Sequence, residues 1–220
     1  MIREYLDKIK EADLVLVGIG AEFESVKQRK DDKTVKALQE LGKALTGKNY
    51  FIITTCTNSI LSGDVFDNTR IVSPCGTMEK KQCPKHCEGS LQLVTEEEKL
   101  QLQQIEKIEE VQLGICASCG EKLVLNNIYA EKYDEAGYME AWGNYTKWLQ
   151  GTLNKKLLIL ELGVDMAFAN IIRWPFEKVG FYNQKATFVR VNEKLYYMSE
   201  ELKDKGIAVK QNAIDWLLEA

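Results

Sequence analysis

The cysteines of this chain carry its clearest chemical signal. Four of the six cysteines form two close pairs, Cys83 with Cys87 and Cys116 with Cys119, separated by 28 residues. Each short spacing holds two thiolates at neighbouring corners of a tetrahedron, which suits zinc. A zinc ion with four thiolate ligands has no open position for a substrate, so its role would be structural. The spacing therefore predicts a structural zinc site, with free thiols in a loop as the alternative.

The other residues that could bind metal or move protons are few. His86 is the only histidine, and it lies between two of the predicted zinc ligands. His86 either replaces one of these cysteines as a zinc ligand or is an exposed residue that takes no part in the site. Composition therefore excludes a histidine general acid or base elsewhere in the fold. Cys56 and Cys75 have no paired spacing, which indicates ordinary small residues.

A glycine turn supplies a second chemical signal. Gly18-Ile19-Gly20-Ala21 directly follows the apolar run at residues 14–17. Glycines permit a tight turn there and let backbone amides approach a pyrophosphate. Phe23 stands where the common dinucleotide fingerprint has its third glycine. The turn is thus a candidate phosphate-binding element with an incomplete fingerprint.

Hydrophobic patterns predict the elements that position these residues. Apolar runs at residues 14–17, 50–54, 157–163 and 187–191 indicate buried strands, and helical spacing recurs between them. The helical faces consist of Ile2, Leu6 and Ile9; Val35, Leu38, Leu41 and Leu45; Tyr138, Trp142, Tyr145 and Leu149; and Ala213, Ile214, Leu217 and Leu218. We interpret the aromatic stripe as a packing face and not as a ligand box. The prediction is an α/β fold, a Rossmann-like parallel sheet with helices on both faces.

The composition changes between the second and third predicted strands. Residues 75–128 contain five of the six cysteines and a highly charged segment. We predict a small zinc-binding insert at 75–128 and a nucleotide-binding domain formed by 1–74 and 129–220. Thr95 and Glu98 fit a helix start. The apolar residues Leu100, Leu102, Ile105 and Ile108 are sparse beyond it, which predicts a solvated helix or a mobile connection.

Length and charge exclude several classes of protein. A chain of 220 residues with 45% hydrophobic residues can form one full-sized domain with a small insert. The net charge of −4 argues against general nucleic-acid binding. No apolar stretch approaches the roughly 18 residues of a membrane span, and the first seven residues lack a signal sequence. We expect a cytoplasmic protein with no membrane partner and no disulfide framework.

The order of these features resembles the sirtuin family of NAD-dependent protein deacylases and ADP-ribosyltransferases. The resemblance covers most of the chain. It is carried by Gly18-Ile19-Gly20-Ala21-Glu22, residues 50–58, Ile71-Val72-Ser73-Pro74-Cys75-Gly76-Thr77, the two cysteine pairs, Leu162-Gly163-Val164-Asp165 and Val191-Asn192. These segments are similar to the family's first nucleotide turn, its Thr-x-Asn-x-Asp strand, its catalytic His-Gly segment, its zinc module, its Gly-Thr-Ser turn and its late strand ending in Asn.

The resemblance implies a function and a set of site residues. It implies a large Rossmann-like domain and a smaller zinc-bearing domain, with NAD or ADP-ribose in the cleft between them, and a protein or peptide substrate. The residues that it assigns to the nucleotide are Gly18, Gly20, Ala21, Gly163 and Asn192. Asn58 and Cys75 would stand near the nicotinamide ribose, as the candidate catalytic residues.

Several site positions depart from the family pattern. Cys75 stands at the catalytic histidine, and Cys56 and Asn58 stand at the family's Asn and Asp. Glu22 and Asp165 replace hydroxyl residues on the phosphate path, where each carboxylate would repel a phosphate by about 1 kcal/mol. The alternatives are that both acids turn outward, or that Arg70 or a lysine compensates. Glu24 to Lys33 contains no match to the family's arginine-bearing loop.

Three functional hypotheses follow from the sequence. The first is a divergent sirtuin-like protein that binds NAD or ADP-ribose and acts as a deacylase or ADP-ribosyltransferase. The second is a non-catalytic, zinc-stabilised scaffold on the same fold, a pseudoenzyme. The third is nucleic-acid binding through a zinc ribbon, which is disfavoured because the glutamates of the insert offset its lysines, Lys80, Lys81, Lys85 and Lys107.

Overall fold

The computed structural model describes residues 4–24, 32–104 and 111–219, which form six helices and nine strands. Their order is α1 (Glu4–Glu11), β1 (Leu14–Ile19), α2 (Asp32–Leu45), β2 (Asn49–Thr54), β3 (Ile71–Val72), β4 (Gly76–Gln82), β5 (Gln92–Leu93), α3 (Glu96–Gln104), β6 (Val124–Asn127), α4 (Ala136–Gln150), β7 (Leu157–Leu162), α5 (Arg173–Tyr182), β8 (Thr187–Val191), β9 (Gly206–Val209) and α6 (Ala213–Leu218). Short 3-10 helices lie at Ala21–Phe23, Asn68–Arg70 and Glu200–Leu202.

The main sheet has six parallel strands in the order β3-β2-β1-β7-β8-β9. Ile19, at the end of β1, lies opposite Thr54 of β2 and Leu162 of β7. The carboxyl ends of these three strands are therefore level. The chain continues from β1 to one side and returns at β7 on the other, and such a switch point is where open α/β sheets bind ligands. The predicted Rossmann-like sheet is confirmed.

Two apolar layers cover the two faces of this sheet. Every residue of β1 and β7 is buried, as expected for central strands of a parallel sheet. Helices α1, α2 and α6 cover one face, and α4 and α5 cover the other. The aromatic stripe of α4 is confirmed as a packing face, because Tyr145 is buried and Tyr138, Trp142 and Leu149 pack against the same layer.

A second, antiparallel sheet has the order β5-β4-β6 and lies within the predicted insert. Its own apolar cluster includes Leu102 of α3, and the buried Glu98 pairs with Lys81 at 2.6 Å. Helix α3 is thus packed onto this sheet, whereas the sequence predicted a solvated helix or a mobile connection. The division at residues 75–128 into a separate domain stays a prediction.

Some expectations concern residues outside the described ranges. These are Ile2 of the first predicted helical face, most of the segment at residues 24–33, and Ile105, Lys107 and Ile108, which follow α3 in the sequence. Among the described residues, no helix combines the length and apolar character that crossing a bilayer requires.

Candidate nucleotide site and cysteine cluster

The glycine turn after β1 touches the turn after β7. A Cβ atom on Gly20 would lie 2.5 Å from Val164 Cα and 2.9 Å from the Gly163 carbonyl oxygen, so only glycine fits. Gly18 lies two residues before Gly20, inside β1. Its Cβ would lie 2.5 Å from Ile172 Cγ2, which makes Gly18 a packing position beneath the turn. Ala21 follows the turn and is exposed.

The other two predicted nucleotide residues lie at the same edge. Gly163 has a φ of +62°, a left-handed conformation that favours glycine, and its N–H donates to the Val191 carbonyl at 2.8 Å. The Asn192 side chain donates to the Val164 carbonyl at 3.0 Å and accepts from the Leu195 N–H at 2.7 Å. We call Gly20, Ala21, Gly163 and Asn192 the switch-point site. Contact of these residues and of Gly18 with a nucleotide stays a prediction.

Glu22 bonds to backbone amides from two distant segments. Its carboxylate accepts from the Glu193 N–H at 2.8 Å and from the Ala213 N–H at 2.6 Å. Burial raises the pKa of Glu22, these two N–H groups lower it, and the charges of Glu193 and Asp215 raise it, with a net rise. The carboxylate therefore ties three loops together.

Asp165 and Arg70 are the other two charged residues that the sequence related to the predicted phosphate site. One Asp165 oxygen accepts from the Ala167 N–H at 3.0 Å within its own loop. Arg70 lies over the Phe51 ring at 5.3 Å and 3.5 Å from Asn49, near the amino end of β2. Arg70 is thus at the other end of the strands and does not compensate the acids.

Glu24 is a site residue that the sequence did not single out. One oxygen accepts from the Thr57 N–H at 2.7 Å, and the other accepts from the Thr57 hydroxyl at 3.0 Å and the Asn58 N–H at 3.2 Å. In the sequence, the only indication of this role was that Glu24 lies close to the glycine turn. The carboxylate joins the loops that follow β1 and β2.

The two candidate catalytic residues are both held inside the protein. The Asn58 side chain donates to the Phe23 carbonyl at 3.0 Å and accepts from the Ile60 N–H at 3.4 Å. Cys75 is fully buried, and burial followed by the negative charges of Glu24 and Asp165 raises the pKa of its thiol to about 12. Cys75 is therefore a neutral thiol at neutral pH. A catalytic role for either residue stays a prediction.

Cys56 completes the group beneath the glycine turn. Its buried thiol lies 3.2 Å from the Gly20 carbonyl oxygen, to which it donates. Burial is the main cause of the strong rise in its pKa. This position is consistent with the prediction that Cys56 is an ordinary small residue.

A buried ionic network supports the turn after β7. Glu161 lies opposite Arg190 in the sheet, and its carboxylate accepts two bonds from that guanidinium at 2.8 Å. Arg173 lies 2.9 Å from the same carboxylate and donates to the Val164 and Leu195 carbonyls, both at 2.9 Å. In the sequence, this network was indicated by a charged residue inside each of two apolar strands. The network holds the loops on both sides of Asn192.

The four predicted zinc ligands come together. The sulfur atoms of Cys83, Cys87, Cys116 and Cys119 all lie within 4.8 Å of one another, with Cys83 at 3.8 Å from Cys87 and at 3.5 Å from Cys119. A tetrahedral zinc with bonds of about 2.3 Å requires sulfur separations of about 3.8 Å. We call these residues the four-cysteine cluster. Its geometry fits a structural zinc ion.

The residues around the cluster favour a site in which the four cysteines are the ligands and His86 is not. The backbone N–H groups of Ser118 and Cys119 lower the pKa of Cys116 to about 7, which favours its thiolate form. His86 has a positive φ of 53°, and its Nε2 lies 3.0 Å from the Lys132 carbonyl oxygen. His86 thus contacts the backbone, outside the cysteine cluster.

Comparisons with known proteins give distant relatives. No protein-family profile matches the sequence. A protein ADP-ribosyltransferase from Staphylococcus aureus is 22% identical over 176 residues, which are 78% of this chain and 56% of that protein. A probable bifunctional ADP-ribose hydrolase/ADP-ribosyltransferase from Fusarium oxysporum f. sp. cubense is 24% identical over 143 residues, 60% of this chain and 23% of that protein. The chain thus matches about half or less of the length of these relatives.

Solved structures give the fold. A structure described as "The Structural basis for Sirtuin Substrate affinity" has a TM-score of 0.62 at 13% identity and covers 99% of this chain and 96% of its own. A "Sir2-p53 peptide-NAD+" complex has a TM-score of 0.62 at 14% identity with the same coverage. A point mutant of a Sir2 homologue in complex with ADP-ribose has a TM-score of 0.59 at 12% identity and covers 100% and 96%. In fold, this chain is a divergent sirtuin-like protein, and its curated relatives are proteins described as ADP-ribosyltransferases.

Proposed function

We propose that the chain binds NAD or ADP-ribose at the switch-point site. The contact between the glycine turns after β1 and β7 carries this proposal. Glycine at both turns lets the two backbone segments approach this closely, and a switch point of this kind is where open α/β sheets bind nucleotides. The Tyr133 hydroxyl is a second favourable feature, since it lies within electrostatic range of Cys75, is buried and has no hydrogen-bond partner among the described residues. Sirtuin structures of the same fold were solved with NAD and with ADP-ribose.

The reaction that fits this site best is ADP-ribosyl transfer from NAD to a protein or peptide. A histidine base is not available, because His86 lies beside Lys132 in the small sheet region. Cys75 is neutral and is not a substitute base at neutral pH. Both curated relatives are described as ADP-ribosyltransferases, and one sirtuin of the same fold was solved with a p53 peptide.

One set of contacts favours a second candidate function, a non-catalytic NAD or ADP-ribose binding scaffold. The amide nitrogen and oxygen of Asn58 are both used in internal hydrogen bonds, and Cys75 has no exposed surface. Release of nicotinamide from NAD separates the two candidates. A transferase releases it in the presence of its acceptor, and a scaffold does not.

Calorimetry on zinc-replete protein tests the shared part of the proposal. The variant Ala21→Glu adds a carboxylate at an exposed position beside the glycine turn. We expect it to weaken ADP-ribose binding about tenfold or more, because a like charge near the phosphates costs about 1.4 kcal/mol or more. Leu153→Glu adds the same charge at a 60% exposed position before β7, at the opposite edge of the sheet, and should change nothing. Absence of NAD and ADP-ribose binding in the wild type would overturn the proposal.

A further inference from the structure

A small cavity lies where the two sheets meet the start of α4. It is lined by residues on either side of β3, by β4, by β6 and by the first turns of α4, and its volume is about 160 Å³. A single water needs about 10–15 Å³ of such space, so the cavity has room for several heavy atoms. None of the residues of the switch-point site lines it. The cavity is therefore a separate candidate binding site.

One charged residue, Lys80 of β4, lines this cavity, and no carboxylate does. Lys80 is half-buried, and its ammonium donates to the Gly137 carbonyl of α4. An ammonium has three N–H donors, and a carbonyl oxygen does not neutralise its charge. No ion pair found within residues 4–24, 32–104 and 111–219 includes Lys80. Lys80 thus brings a positive charge to the cavity without a counter-charge from the described residues.

The carboxylates closest in sequence to the cavity have other partners. Glu79, which precedes Lys80, pairs with Lys99 at 3.0 Å. Glu135 precedes α4 and acts on the Tyr138 hydroxyl, whose pKa is raised by burial and then by the charge of Glu135. A partly buried charge is unfavourable unless a partner of opposite charge approaches it. Lys80 is therefore suited to an anionic ligand group.

Neutral groups in the lining suit the rest of such a ligand. The Ser73 hydroxyl and the Asn68 amide both belong to lining residues, and neither side-chain group has a hydrogen-bond partner in the part of the chain that the structure describes. Both can donate to a ligand oxygen. The apolar part of the lining consists of Ile71, Ala141 and the ring of Tyr138. The cavity thus combines donors for oxygen atoms with an apolar surface.

We propose that this cavity binds a small monocarboxylate with a short alkyl chain, of the size of acetate or propionate. The single charge of Lys80 neutralises one carboxylate, whereas a phosphate dianion would keep an uncompensated charge. Bonds from an ammonium to a carboxylate are stronger than bonds between neutral groups. The alkyl chain would lie against Ile71 and Ala141.

Titration of ¹⁵N-labelled, zinc-replete protein with acetate and propionate, at constant pH and ionic strength, tests this proposal. We expect saturable shifts of the amide signals of Gly76, Thr77 and Gly137, which line the cavity. The dissociation constant should be about millimolar, because so few atoms limit the binding energy. Acetamide has the shape of acetate without its charge and should give no saturable shift. Inorganic phosphate should bind more weakly than propionate.

A matched pair of variants tests the role of the lysine. Lys80→Met should weaken propionate binding about tenfold or more, because it removes the charge and keeps most of the side-chain volume. Lys147→Met removes the same charge from an exposed position further along α4 and should keep the wild-type affinity. If Lys80→Met does not fold, Ala141→Leu takes its place. It keeps Lys80 but narrows the cavity, and it should also weaken propionate binding about tenfold or more.

Several results would overturn this inference. Wild-type protein without saturable shifts in acetate and propionate has no such site. Acetamide or phosphate that binds as tightly as the carboxylates would contradict the assignment to a monocarboxylate. Unchanged propionate affinity in a folded Lys80→Met or Ala141→Leu protein would contradict the location. Ala21→Glu alters only the switch-point site and should bind propionate as wild type does, so loss of propionate binding there would contradict a separate cavity.

Discussion

Removing the charge of Glu161 should lower the free energy of unfolding more than removing a carboxylate charge at the surface does. Glu161 has no exposed surface, and it faces two buried guanidinium groups, those of Arg190 and Arg173. Glu161→Gln preserves the size of the side chain but leaves both guanidiniums without their shared anion. The predicted effect is therefore electrostatic and not a cavity.

The magnitude follows from what remains after the change. Breaking a buried ion pair by removing one partner costs about 3–5 kcal/mol. Arg190 keeps Glu177 at 2.8 Å and the Tyr197 carbonyl at 2.6 Å, which places the expected cost at the lower end. We expect a loss of about 3 kcal/mol in the free energy of unfolding. With a urea dependence of up to about 3 kcal/mol per molar, the unfolding midpoint falls by about 1 M or more.

Equilibrium unfolding in urea, followed by tryptophan fluorescence, measures this loss. Glu200→Gln is the matched control, because Glu200 is 87% exposed and pairs with Lys203 on the surface. Its cost should stay below about 0.5 kcal/mol. Adding Arg190→Met to Glu161→Gln should recover part of the stability, since it removes one of the uncompensated charges. Equal midpoints for Glu161→Gln and the control would refute the electrostatic account of this network.

Three further predictions concern the small sheet, the turn after β7 and the acid response. Removing zinc with a chelator should open the small sheet to limited proteolysis before the six-stranded sheet, as mass spectrometry of the fragments can show. Gly163→Ala should destabilise the protein by about 1–3 kcal/mol in thermal melts, because φ is +62° and the new Cβ would lie 2.6 Å from Glu22 Cβ, whereas Gly143→Ala in α4 meets no atom within 4 Å and should be neutral or stabilising. Burial raises the pKa of Glu98, but bonds from Lys81 and a backbone N–H outweigh it, so the pKa lies below its ordinary value. Its stabilisation is present above the ordinary carboxyl pKa and is lost as the pH falls through the folded value, and Glu98→Gln should flatten the unfolding curve against pH in that range.

Each of these predictions has an opposing result. Proteolysis that attacks both sheets together after zinc removal would contradict a local structural role for the metal. Equal melting temperatures for the two glycine variants would contradict the close approach at Gly163. An unchanged acid response in Glu98→Gln would mean that Glu98 adds no pH-dependent stability.

Local patterns were enough to predict the central part of the fold. The strand at residues 14–17 and the helix face of Val35, Leu38 and Leu41 appear in the sequence because burial requires apolar residues at fixed spacings. The zinc ligands could also be predicted from local sequence, because the two cysteines of each pair lie close together in the chain. The order of these parts along the chain then gave the resemblance to sirtuins.

Short edge strands and charged pairs were less accessible to this reasoning. β3 has two residues and β9 has four partly exposed ones, too few for a recognisable period. Glu161 and Arg190 are charged residues in apolar strands, and each is unfavourable when considered alone. They become favourable as a pair because the sheet register sets them opposite each other.

The sequence determined that carboxylates would stand beside the glycine turn, and tertiary structure decided what each of them does. Glu22 and Glu24 are two residues apart, and the local sequence gives them the same chemistry. Glu22 is bound by amides 171 and 191 positions further along the chain, whereas Glu24 is bound by residues 33 and 34 positions away on the opposite side of the turn. These partners become neighbours only when parallel strands bring their carboxyl ends to one edge of the sheet, because a parallel sheet pairs segments that are distant in sequence.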